Sequence, residues 1–101
     1  MAISVQVQAT ADALRAAGCE VRSHVVGESI DAYYAKFLER SVEIRSNVRP
    51  GEIFMEFWKP GIPDEEDCPI GIFSEVSVAI EAAREWLCLP GRAGGGGGVP
   101  Q

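Results

Sequence analysis

A chain of 101 residues is long enough for one compact domain and too short for two, and its 47% hydrophobic and 24% charged content is that of a globular protein. No apolar run approaches the ~20 residues that span a bilayer, and the first residues have neither the basic nor the apolar region of a secretory signal. The formal net charge of −6 lies entirely in residues 51–101, where nine acids face only Lys59, Arg84 and Arg92, so direct binding of nucleic acid is disfavoured.

In chain order, the first pattern is ambiguous. Ile3, Val5 and Val7 alternate with Ser4, Gln6 and Gln8 like a strand, while Ile3, Val7, Ala11 and Leu14 equally fit a helical face. The alternating β-branched residues favour a strand over 3–8. A helix then runs through TADALRAA and closes at Gly18, which suits the left-handed residue after a last turn. CEVRSHVV reads as a strand with Cys19, Val21, Ser23 and Val25 on one side. Between Gly27 and Arg40, Ile30, Tyr33, Tyr34, Phe37 and Leu38 recur at helical spacing behind Ser29 as cap, which predicts a second helix.

A hairpin follows. SVEIRSNV and EIFMEFW are joined by Arg49-Pro50-Gly51-Glu52, and proline then glycine suits the centre of a type II turn. If Arg49 faces Glu52, Val48 meets Ile53, Ser46 meets Met55 and Ile44 meets Phe57. Arg45 then meets Glu56 as a charge pair on the opposite face. Phe54 and Trp58 share that second face, so the strand is apolar on both sides. It is either doubly covered or presents aromatics to a partner. In KPGIPDEEDCP, four consecutive carboxylates are fenced by Pro60, Pro63 and Pro69, the marks of an exposed connector. In the last helix, Ser74 is the expected N-cap and Phe73 and Val78 a hydrophobic staple. Val76, Ala79, Ile80, Ala83, Trp86 and Leu87 make its apolar face, and Pro90-Gly91 its stop. The expectation is an α+β domain over 1–89, with a three- to five-stranded, largely antiparallel sheet covered on one face by helices. GRAGGGGGVPQ has almost nothing to bury, so 90–101 reads as a flexible tail.

No motif here carries chemistry. Asp64 to Asp67 are contiguous and lack the alternate spacing and turn glycine of a calcium loop. Cys19, His24, Cys68 and Cys88 have no zinc-knuckle spacing, so no metal and no cofactor is expected. Three cysteines, an odd number, argue against a disulfide framework and for a reducing, cytoplasmic compartment. His24, Ser29 and Asp31 form no recognisable triad signature. Cys68 follows a carboxylate that raises its pKa rather than activating it. The glycine run at 94–98 lacks the lysine and the flanking strand and helix of a phosphate loop.

The reading that remains is a non-enzymatic, acidic interaction module. Its partner is expected to be a protein with a basic or nucleic-acid-binding surface, met by Asp64, Glu65, Glu66 and Asp67, by Glu52 and Glu56, and by Phe54 and Trp58. One concrete version is a small inhibitor or adaptor such as phages and other mobile elements encode, anti-CRISPR proteins and nucleic-acid mimics among them. That analogy is of size and charge, not of residues. Two alternatives are a small-molecule or enzymatic domain with a pocket near His24, Tyr33 and Tyr34, and a homo-oligomer that buries Phe54 and Trp58 between copies.

Overall fold

A computed structural model describes residues 4–61 and 68–89. Two helices and five strands follow one another as α1 (Val5–Ala16), β1 (Glu20–Val26), β2 (Ser29–Phe37), β3 (Arg40–Ser46), β4 (Ile53–Trp58), β5 (Ile70–Phe73) and α2 (Val76–Leu87). The strands form one antiparallel sheet in the order β1-β2-β3-β4-β5, so every strand pairs with its neighbour in sequence. Both helices lie on one face and touch each other. The core is built from Val7, Ala11 and Leu14 of α1, Ala79, Ala83 and Leu87 of α2, and the sheet residues that point at them, from Tyr33 to Phe57. A twelve-residue helix is marginal alone in water, so each helix depends on this packing.

Residues 4–8 do not make the expected strand, and residues 1–3 lie outside the described residues. From Val5 onward the chain is helical, with Ser4 as the N-cap whose hydroxyl accepts from the Val7 amide at 3.2 Å. Burial shows why. A strand would put Val5 and Val7 on the same side, yet Val5 is 81% exposed and Val7 fully buried. Val7, Ala11 and Leu14 form the buried stripe, and the alternation with glutamines carries no weight.

The expected helix between Gly27 and Arg40 is instead β2. Its residues alternate after Ala32: Tyr33 and Ala35 are buried, whereas Tyr34 and Lys36 are exposed. The strand lies between β1 and β3 and is laddered on both edges, which a lone helical spacing of apolar residues does not reveal. A bulge at His24/Val25 adjusts the β1–β2 register.

The β3–β4 connection keeps the expected turn and changes the register. Glu52 N donates to Arg49 O at 3.2 Å, and Gly51 takes φ +83°, as the third residue of a type II turn requires. Asn47 N also donates to Glu52 O, which leaves Val48 outside the ladder and 95% exposed. The pairs are therefore Ser46↔Ile53, Arg45↔Phe54, Ile44↔Met55, Glu43↔Glu56, Val42↔Phe57 and Ser41↔Trp58. The expected Val48–Ile53 and Arg45–Glu56 pairs do not form. A type II turn splays a tight hairpin against the natural strand twist, and the extra residues relieve that conflict. The slip is two residues, so every side chain keeps its face and only its partner changes.

At α2 the N-cap is Glu75, one residue after the expected Ser74, and no side chain caps the helix. Cys88 closes it in the left-handed conformation at φ +57°, and the expected Pro90-Gly91 stop lies outside the described residues with the rest of 90–101.

Candidate interaction surface

The helices cover one face of the sheet and leave the other open. Strand alternation carries a continuous row across that open face: Arg22 of β1, Tyr34 of β2, Glu43 of β3, Glu56 of β4 and Ile70 of β5. On one side of this row lie Arg45, Phe54 and Ile72, and on the other Glu20, Lys36, Ser41 and Trp58. Phe54 and Trp58 are half-buried, while Ile70 and Ile72 are more than half exposed, at 58% and 53%.

The centre of the row is a pair of opposed glutamates. Glu56 is only 8% exposed, and its carboxyl group is hydrogen-bonded to that of Glu43. Burial pushes the Glu43 carboxyl above its ordinary range, and the hydrogen bond and charge of Glu56 push the same way. The Arg45 guanidinium, 3.8 Å from Glu43, and a hydrogen bond with Tyr34 oppose that rise. Burial, and then the charge and hydrogen bond of Glu43, raise the Tyr34 phenol in turn. Arg45 also stacks on Phe54, with its guanidinium carbon 4.9 Å from the ring centroid. The arrangement presents aromatic surface beside charges of both signs.

The expected site residues are thus only partly gathered. Phe54, Glu56 and Trp58 share the open face, with Glu56 sunk into it rather than projecting. Glu52 sits at the hairpin end and accepts from Asn47 Nδ2 at 2.8 Å. Asp64, Glu65, Glu66 and Asp67 lie outside the described residues. Tyr33 and Tyr34 point to opposite faces: Tyr33 is buried and donates to Gln8 Oε1, while Tyr34 meets His24 edge-on at 6.1 Å. No one pocket uses both tyrosines. A shallow cavity of about 250 Å³ opens instead on the helix-free face, lined by Glu20, Arg22, Tyr34, Lys36 and Ser41.

Among the soft groups, Cys19 is buried in the core, and that burial raises its thiol pKa while Arg84 opposes the rise. Among the described residues, no three His, Cys, Asp or Glu side chains gather as a metal site requires. No helix there is long and apolar enough to cross a membrane.

Sequence reasoning missed Glu43, Ile70 and Ile72. Glu43 becomes visible only when the register places it opposite Glu56. The two isoleucines flank Gly71, and their alternation could have marked a short strand. No protein-family model, no curated protein and no solved structure matches the chain.

Proposed function

We propose that the protein is a non-enzymatic interaction module whose helix-free sheet face docks another protein. The observation that carries this reading is the open face itself. Tyr34, Phe54 and Trp58, with the half-exposed Ile70 and Ile72, lie on it beside the charged Glu20, Arg22, Lys36 and Arg45 of β1 to β3. Exposed aromatic and aliphatic side chains flanked by charged ones have the composition of a protein contact. The acidic excess of residues 51–101 favours a basic partner by long-range steering, and the open face supplies the close contact.

The test is affinity capture with the full chain, comparing wild type with Phe54→Ser, Trp58→Ser and the helix-surface control Val78→Ser. Either aromatic substitution is expected to lower the affinity for one recurrent protein about tenfold or more, the scale of an interface anchor. Raised salt should weaken capture as well. Equal recovery by all variants would overturn the reading. A second reading, a homodimer joined through the same face, is favoured by the exposure of Ile70 and Ile72. Sedimentation of the wild type separates the two, because the homodimer requires a mass twice that of the chain.

A further inference from the structure

Strand β5 ends the sheet, and among the described residues nothing pairs with its outer edge. The direction of its free groups follows from the ladder. Phe57 N donates to Pro69 O at 3.0 Å, which makes that pair a hydrogen-bonded one. With Met55 opposite Gly71 and Ile53 opposite Phe73, the pattern repeats every second residue. Gly71 and Phe73 therefore turn their backbone groups inward to β4. Ile70 and Ile72 turn theirs outward, a template for another strand that no described residue fills.

Beneath this edge, between β5 and α2, runs a groove of about 400 Å³. Its walls are Phe57, Phe73 and Trp86, with Pro69 and Ala82, and its rim carries Arg40 and Glu85. A side chain at position 71 would bring its Cβ within 2.8 Å of the Phe73 ring and 3.4 Å of the Phe57 ring. Glycine there lets the Phe73 ring lie along the strand as one wall of the groove. Such a volume, mainly apolar with few polar groups, is of the kind that accepts a ligand side chain.

One cation, Arg40, lines the groove, and a second, Lys59, lies beside it over the Trp86 ring. Arg40 donates to Trp86 O at 2.9 Å, and its guanidinium carbon lies 5.1 Å from the Trp86 ring centroid. The Lys59 ammonium lies 5.8 Å from the same centroid. Among the described residues, no carboxylate comes within the 4.0 Å of an ion pair with either cation. Glu85 is the single acid among the described residues that line the groove. An edge strand beside an apolar groove and two cations that no described carboxylate pairs matches the physics of strand addition, in which main-chain bonds give affinity and a pocket reads alternate side chains.

We propose that β5 accepts a sixth strand from a partner protein. The strand is an extended peptide that bonds to the backbone of Ile70 and Ile72 and places one large apolar side chain in the groove. A carboxylate of that peptide, from an acidic side chain or its C-terminus, meets Arg40 and Lys59. This goes beyond docking on the helix-free face, and either proposal can fail while the other stands.

The experiment uses the full chain and labelled nine-residue peptides, read by fluorescence anisotropy. The peptides are threonine- and valine-rich, with leucine, phenylalanine or serine at the centre. Aspartate or lysine stands two residues on, and the C-terminus is free or amidated. Apolar-centred peptides with a carboxylate are expected to bind at least tenfold tighter than serine-centred or lysine-bearing ones. The amidated and free series tell an acidic side chain from a terminal carboxylate. N-methylation of the best peptide at alternate residues should abolish binding in one phase and spare it in the other, without altering the protein. Ala82→Leu should remove the preference for an apolar centre. Absence of binding at millimolar peptide, equal binding of serine-centred peptides, or indifference to the phase of N-methylation would overturn the proposal. So would sedimentation showing a dimer that Ile72→Pro dissociates, because a second copy would then hold the edge.

Discussion

The two faces of β4 have the same backbone and different chemistry. On one, Ile53, Met55 and Phe57 are buried against the helices. On the other, Phe54, Glu56 and Trp58 lie where no helix reaches, and a buried glutamate stands opposite another. The first face is explained by burial alone, since each apolar side chain removed from water contributes roughly 1.5–3 kcal/mol. The second is not. Like charges directly across a ladder destabilise it, and a face that served stability alone would not set Glu43 against Glu56. The contrast separates residues whose place burial explains from residues whose place it does not.

The largest effect should come from breaking the covered face. Met55→Ala empties a fully buried site and is expected to cost about 2–5 kcal/mol, whereas Phe54→Ala should cost about 1 kcal/mol, part of it the lost stacking of Arg45. Urea unfolding of the two variants measures both. Equal losses would mean that the open face is packed as tightly as the core.

The glutamate pair sharpens the comparison through pH. Glu43 holds its proton more tightly folded than unfolded, so its favourable contribution is complete below the unfolded value of about 4.3. That contribution is lost as pH rises through the raised folded value. The groups facing Glu43 are Glu56, Tyr34 and Arg45, and only the last is cationic. Glu43→Gln keeps the hydrogen bond and cannot ionise. It should therefore match the wild type in stability near pH 4 and exceed it at pH 7, on the order of 0.2–1 kcal/mol. A variant less stable at pH 7 would show that the ionised pair is held favourably.

The smallest effect belongs to Val48. It was expected opposite Ile53 and is instead almost fully exposed outside the ladder. Val48→Ser should change the unfolding free energy by less than about 0.5 kcal/mol. A larger loss would restore the tighter register, and with it the Arg45–Glu56 pair on the open face.

Much of the framework was legible residue by residue. The spacing of Val76, Ala79, Ala83 and Leu87 marked α2, and the alternation through Val42, Ile44, Ile53, Met55 and Phe57 marked the central strands with their correct faces. Pro50-Gly51 marked the turn type. These patterns are local, and each has one dominant physical cause.

What failed depended on partners distant in sequence. Residues 5–8 and 29–37 satisfy both periods, because a few apolar residues at mixed spacing fit a helix and a strand alike. Val7 became helical because α1 packs on the sheet. Tyr33 became part of a strand because β1 and β3 lie ready on both sides of it. The candidate surfaces were illegible for the same reason. The meeting of Glu43 with Glu56 follows from a register set by two extra loop residues, and the β5 groove exists only where α2 returns over Phe57 and Phe73. Composition and local periodicity were enough for a small α+β domain with the faces of β3 and β4 correctly sorted. Register, the identity of two elements and every site between elements were left to tertiary packing, because burial and strand pairing join residues whose sequence neighbours carry no record of the contact.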